Sequence, residues 1–351
     1  MPKSISPYPE VGVLGAGSWG TTLALTLAET GRKVHLWCRR EELAAAIRET
    51  RSNPDYLADI KLPDPILPTS NLDELTHLPL LFIVAPSKAM RHVASQLAQS
   101  GLSEDTILLS CTKGIENSSG LRMSQILEEI FPANTVAVLS GPNHAEEAAR
   151  RLATASVIGC RDHATAAALQ SVFTVPWFRA YTSTDIAGIE LGGAIKNVFA
   201  LAGGISDGLG LGDNAKAALV TRGLAELIRL GTALGGRPET FHGLSGVGDL
   251  IVTCYSEHSR NYRVGKGLGS GKSLANITAS MNHMVAEGVP NTQSIHQLAH
   301  ARKIKTPIID EVYAVLYQEK PASDALNDLL SRLPRPESDL AHPPNTDSSL
   351  V

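Results

Sequence analysis

The chain has 351 residues, of which 43% are hydrophobic and 19% charged, enough to build a substantial core and to form two ordinary domains. Lys and Arg number 31 against 35 for Asp and Glu, a formal charge of −4, so no basic surplus supports nucleic-acid binding. The four cysteines, Cys38, Cys111, Cys160 and Cys254, lack any CxxC or metal-ligand spacing. They read as reduced thiols of a cytoplasmic protein with no metal centre.

The N-terminal stretch carries no apolar signal segment before its first strand-like run. That run, "VGVLG", leads into the helical "SWGTTLALTLAET" and then "KVHLWC". Further β-type runs follow at "LLFIV", "TILLS" and "TVAVL", with helical stretches between them. Strands alternating with helices predict a parallel sheet covered on both faces, a Rossmann-type doubly wound α/β domain. "SVIGC" and "WFRAY" are expected to close the sheet, with antiparallel pairing. "LPLLFIVAP" is too short to cross a bilayer, which needs about 20 apolar residues, so no integral membrane association is expected.

From about Thr184 the texture changes. "AALVTRGLAELIRLGTAL", "NTQSIHQLAHARK" and "PIIDEVYAVLYQ" carry helical periodicity, and no strand signal follows Tyr181. The expected organisation is a dinucleotide-binding domain over 1–184 and an all-helical domain over 185–333. A disordered Pro-, Ser- and Asp-rich tail is expected over 334–351.

Gly15, Gly17 and Gly20 form GxGxxG between the first strand and helix. There the first glycine permits a tight turn, the second lets backbone approach a pyrophosphate, and the third lets helix pack on strand. The second strand ends not in the usual ribose-binding acid but in Arg39 and Arg40. Arginines there suit a 2′-phosphate, so NADP is favoured or at least tolerated beside NAD, the alternative being a solvated basic pair. "GISDGLGLGDN" and "GKGLGSGKS" are decoys: the first follows a helix, and the second has Lys266 where a P-loop needs glycine.

Five later segments, "CTKGIE", "LSGPNHAEEAA", "ELGGAIKNVFA", "GLSGVGDL" and "HSRNYRVG", each have an ordinary structural explanation when taken singly. Together they offer Lys113, Lys196, Arg260 and the carboxylate of Asp249, a set suited to a small phosphorylated substrate. Lys196 stands in an apolar, small-residue helix, where it either snorkels its amine to water or is buried for chemistry. Gly192 and Gly193 lie one turn earlier and are expected to clear room beside it for something to approach. Burial would disfavour the ammonium form and Asp249 would oppose that shift. On this reading Lys196→Met leaves stability nearly unchanged.

With those segments and "GAGSWGT", "NPDYL", "AGGISDGLGLGDNAKAALVTRGLAE" and "VAEGVPNT", the chain closely resembles bacterial NAD(P)-dependent glycerol-3-phosphate dehydrogenases from about Val11 to Tyr317. The resemblance implies reversible reduction of dihydroxyacetone phosphate to sn-glycerol 3-phosphate, the backbone of glycerophospholipids, and a homodimer. It implies cofactor contacts at Ser18, Trp19, Arg39, Arg40, Lys113, Ala145, Arg260, Val285 and Glu287. Substrate contacts are implied at Lys113, Gly141, Asn143, Lys196, Asp249, Ser259, Arg260 and Asn261, with Lys196 transferring the proton. Asn143 departs from the family pattern, which carries Ser or Thr there, and His144 replaces a common aromatic. His144 is expected to pack or hydrogen-bond rather than act as an acid or base. A dehydrogenase acting on β-hydroxy acids would leave "SRN" without its phosphate, and a catalytically silent dinucleotide sensor would need neither Lys196 nor Asp249.

Overall fold

The computed structural model describes residues 8–281, 286–334 and 336–337. The chain divides into two compact units between Glu190 and Leu191. That division falls inside a long helix, Ile186–Gly208, which starts just after the change of texture near residue 184.

The first unit runs β1 (Glu10–Leu14), α1 (Ser18–Glu29), β2 (Lys33–Trp37), α2 (Glu41–Thr50), β3 (Ile66–Thr69), β4 (Leu80–Ile83) and α3 (Met90–Gln99). It continues with β5 (Ile107–Ser110), α4 (Met123–Ile130), β6 (Val136–Ser140), α5 (Ala145–Ala148), β7 (Thr154–Gly159), α6 (His163–Ser171) and β8 (Phe178–Ser183). The sheet order is β3-β2-β1-β4-β5-β6-β7-β8. Pairing is parallel throughout except between β6 and β7; β8 then runs parallel to β7. The expected antiparallel closure therefore belongs to one strand pair.

The strands are apolar because both faces are covered. Leu80 and Phe82 of β4 enter one cluster with Leu23 and Leu27 of α1, whereas Leu81 and Ile83 enter the opposite one with Val93 and Leu97 of α3. This period of two drives successive side chains to opposite faces. The chain leaves the β3 edge and returns on the other side of β1 as β4. The carboxyl ends of β1 and β4 thus flank a topological switch point, the place where such sheets bind ligands.

β3 escapes sequence reading. It has four residues, "ILPT", and includes Pro68, which lacks a backbone donor. Its place at the edge accommodates that loss, since β2 alone pairs with it.

α7 (Ile186–Gly208) begins in the first unit and continues into the second, where it is followed by α8 (Gly212–Ala233), α9 (Pro238–Phe241), α10 (Asp249–Tyr255) and α11 (Arg260–Gly269). Next come α12 (Leu274–Ala279), α13 (Gly288–Ala301), α14 (Pro307–Tyr317) and α15 (Ala322–Leu330). Among the described residues no strand follows β8. α7 is long and apolar enough to cross a membrane, but 94% of its apolar window is buried within the protein. Its glycines allow close packing: a Cβ on Gly204 would stand 2.1 Å from the Tyr262 carbonyl oxygen of α11. Apart from 334, 336 and 337, the expected tail lies outside the described residues.

Candidate active site

The three glycines of the first turn answer to different neighbours. Gly15 has φ +124°, and a Cβ there would lie 2.7 Å from the Val84 carbonyl oxygen. A Cβ on Gly20 would lie 1.7 Å from the Gly15 carbonyl oxygen, so α1 can approach β1 only with glycine at that position. At Gly17 a Cβ would meet nothing within 4 Å. Two glycines are therefore required by the fold, and the third leaves open space at the amino end of α1, where Ser18 is buried and Trp19 half-buried.

Asn53 braces this turn, a role that "NPDYL" does not advertise. Fully buried, its Nδ2 donates to the Ala16 carbonyl at 2.9 Å and to Thr21 Oγ1 at 2.8 Å. Thr22 Oγ1 donates to the Ala145 carbonyl at 3.1 Å, which links the start of α5 to the same helix.

Beyond β2, Arg39 and Arg40 are both exposed. Arg40 is paired with Asp55, while Arg39 forms no ion pair among the described residues. Glu41, the nearest acid, accepts from Ser70 Oγ at 2.6 Å and pairs with Arg48. These two contacts hold its carboxyl below the usual range.

Lys113, just past β5, donates from Nζ to the Gly141 carbonyl at 3.0 Å and to Asn143 Oδ1 at 2.9 Å. Asn143 Nδ2 donates in turn to Ser156 Oγ at 3.3 Å. The amide that departs from the family pattern thus holds the lysine, which a hydroxyl could do only over a shorter reach. His144 is the half-buried residue at the amino end of α5.

In the second unit Lys196 is 5% exposed, and its amine does not snorkel to water. Nζ donates to Asp249 Oδ1 at 2.8 Å and to Thr253 Oγ1. Asp249 opens α10 and is 2% exposed, with Thr253 one turn along the same helix. Thr253 also contacts Asp249 Oδ1 at 3.2 Å, so the three groups form a closed polar cluster. Nothing in "DLIVTC" singles out Thr253 beyond its spacing of four from Asp249.

What approaches beside Gly192 is the protein's own backbone: a Cβ there would stand 2.5 Å from the Ser245 carbonyl oxygen in the π-helical turn Leu244–Gly248. This turn leads directly into Asp249, so Gly192 admits the backbone that delivers the carboxylate. The expectation that Lys196→Met leaves stability unchanged needs correction, because the substitution removes the ammonium partner of a buried carboxylate.

Neighbouring contacts fix the rest of this cluster. Asn197 Oδ1 accepts from Asn261 Nδ2 at 2.9 Å, and Asn261 Oδ1 accepts from the Gly288 amide at 2.8 Å. Ser259 caps α11 by accepting from the Tyr262 amide at 3.1 Å, and half-buried Arg260 opens that helix. Glu287 immediately precedes α13. Val285 lies outside the described residues. A further buried acid, Glu190, the last residue of the first unit, accepts from the Ser124 amide at 2.8 Å and pairs with Arg122. Sequence reading had no signal for it.

All four cysteines are free and buried. Burial pushes the Cys38 and Cys254 thiols up to about 12.

A glycine turn at the switch point of a doubly wound sheet, joined in one chain to a helical unit with a buried lysine–aspartate pair, defines a two-domain dinucleotide-dependent oxidoreductase. Residues 10–166 match the N-terminal part of the NAD-dependent glycerol-3-phosphate dehydrogenases, and 185–327 match the C-terminal part. The chain belongs to that family. It is 49% identical over 323 residues to the NAD(P)+ glycerol-3-phosphate dehydrogenase of Moorella thermoacetica, spanning 92% of this chain and 96% of that one. The Geobacter sulfurreducens enzyme of the same name is 47% identical over 326 residues, spanning 92% and 97%. The crystal structure of glycerol-3-phosphate dehydrogenase from Coxiella burnetii superposes with TM-score 0.89 at 35% identity, covering 93% of this chain and 99% of that one.

Proposed function

We propose that this oxidoreductase reduces dihydroxyacetone phosphate reversibly to sn-glycerol 3-phosphate with NADPH or NADH, with Lys196 as proton donor. The observation that carries this reading is the buried Lys196–Asp249–Thr253 cluster in a chain matched to the family in both units. Open space at Gly17, beside two glycines that the fold itself requires, fits a dinucleotide pyrophosphate. Gly15, Gly17, Ser18, Trp19, Gly20 and Ala145 would hold that part, with Arg39 and Arg40 at the adenosine 2′-phosphate. When bound, the nicotinamide supplies the hydride.

The protein's share is orientation and the proton. Lys196 gives a proton to the substrate's carbonyl oxygen in reduction and recovers it in the reverse direction. Asp249 and Thr253 fix the amine in the position from which it acts. Lys113, held by Asn143, neutralises charge developing on an alkoxide. Arg260 can fork onto the phosphate, and the Ser259 hydroxyl, whose oxygen already caps α11, adds a donor. Asn261 has its carbonyl and one N–H engaged by protein, so its second N–H is the group left for substrate. Glu287 and Val285 complete the cofactor contacts in this reading.

The product supplies the glycerophospholipid backbone. A cytoplasmic homodimer is part of the same proposal, and buried free thiols suit a reducing compartment. The test is absorbance-monitored oxidation of NADPH and NADH with dihydroxyacetone phosphate and a panel of carboxylated ketones. Turnover of the phosphorylated ketone is expected. Preference for a carboxylated ketone, or cofactor binding without turnover of any ketone, would overturn the assignment.

A further inference from the structure

The stretch "SIHQLAHARK" places His296 and His300 four residues apart on α13, hence on one helix face. After α13 the chain reverses through Lys303, at φ 53°, and α14 returns Asp310 to that face. Both imidazole Nε2 atoms converge on the same carboxylate oxygen: His300 lies 3.3 Å and His296 3.6 Å from Asp310 Oδ1. One ligand atom from each of the three residues lies within 4.8 Å of the others.

Hydrogen bonding alone does not explain this arrangement. At 3.6 Å the His296 contact exceeds hydrogen-bond length. Ligands of a tetrahedral zinc ion, with bonds of about 2.0–2.2 Å, stand about 3.4 Å from one another. The two His–Asp separations bracket that spacing. The rings are also held in place: His296 stacks on Tyr313 at 3.9 Å between centroids and 3° between planes, and its centroid lies 4.2 Å from that of His300. Thr306 Oγ1 donates to Asp310 Oδ1 at 3.2 Å, steadying the carboxylate from outside.

We propose that His296, His300 and Asp310 form a binding site for one divalent transition-metal ion, with Zn2+ the ion it suits best. Two imidazole nitrogens and one carboxylate oxygen are a borderline donor set, suited to zinc rather than to magnesium or calcium. His300 is 60% exposed and Asp310 38%, which leaves a path for the ion and room for a solvent or external fourth ligand. The ion would clamp α14 to α13, whose first residue, Gly288, hydrogen-bonds Asn261. The site is independent of the reaction proposed above and contains none of its residues.

The test starts from full-length protein stripped of metal by a chelator. Titration with Co2+ should give the visible absorption of a tetrahedral ion, saturating at one per chain, and Zn2+ should displace it. The wild type should gain thermal stability with Zn2+. His300→Gln, at an exposed position that packing does not need, should weaken binding by on the order of tenfold or more and abolish that gain. His296→Gln and Asp310→Asn should do the same, while dehydrogenase turnover without added metal persists in His300→Gln. No saturable binding by the wild type, or unchanged affinity in folded His300→Gln, would overturn the proposal. The buried thiols offer no surface competitor.

Discussion

Replacing Lys196 by Met removes the amine while keeping length and apolar bulk, and its consequences follow from the burial of both partners. Nζ lies 2.8 Å from Asp249 Oδ1, with Lys196 5% and Asp249 2% exposed. Breaking a buried pair by deleting one member costs about 3–5 kcal/mol, because the other charge stays desolvated. The Thr253 hydroxyl remains within 3.2 Å of the same oxygen, so the lower end, about 3 kcal/mol, is the expected loss. Adding Asp249→Asn removes the stranded charge and should restore most of that stability. Turnover behaves differently: both the single and the double variant should fall by about 10²–10⁴-fold, the usual worth of an acid–base group. Denaturant unfolding, cofactor binding and steady-state kinetics on the parent and both variants separate the two effects. Near-normal turnover in folded Lys196→Met would refute the proton-transfer role. A double variant no more stable than Lys196→Met would refute the stranded charge as the source of the loss.

Replacing Arg39 and Arg40 together by Ala should raise KM for NADPH about tenfold or more, since a charge-assisted hydrogen bond contributes about 1.5–3 kcal/mol, and leave NADH little affected. Because Arg40 already shares its charge with Asp55, Arg39→Ala alone should account for most of the change; equal losses with both cofactors would exclude 2′-phosphate recognition. Asn53→Ala leaves the buried Ala16 carbonyl and Thr21 hydroxyl short of a partner, so it should destabilise the first unit by about 1–3 kcal/mol and raise KM for either cofactor. Unchanged unfolding would show that the turn holds without this brace. Glu226 is buried beneath α14 and accepts from the Ile308 amide at 2.9 Å, yet burial pushes its carboxyl up to about 7. Its folded pKa exceeds the ordinary 4.5, so the folded state binds the proton more tightly, and stability from this group is lost as pH rises from about 4.5 through 7. Glu226→Gln should flatten that fall in unfolding free energy; an unaltered slope would assign it to other groups.

The sheet was readable where strands are apolar runs buried on both faces, and it was unreadable where a special position relaxes that demand. β3 carries a proline and has four residues, and only its place at the edge makes it a strand. The direction of β7 against β6 depends on how the connecting segment crosses the sheet, which local pattern does not encode. The helical unit was legible as helices, but the π-helical turn before α10 was not, because its close approaches, to Gly192 of α7 and to Phe241 of α9, are tertiary.

At the site the limit is sharper. A lysine in an apolar helix is visible in sequence as an anomaly, and Lys196 could be singled out for that reason alone. Its partners are visible only through the family resemblance or not at all: Asp249 and Thr253 belong to a distant helix whose own pattern is ordinary. Glycine carries a further ambiguity, because a missing side chain leaves space without saying what fills it. At Gly17 a Cβ would meet nothing within 4 Å, so the space faces outward and suits a ligand. At Gly192 it would meet the Ser245 carbonyl oxygen at 2.5 Å, so the protein's own backbone has taken the space. Both read alike in sequence, yet one makes room for a pyrophosphate and the other brings Asp249 within reach of Lys196.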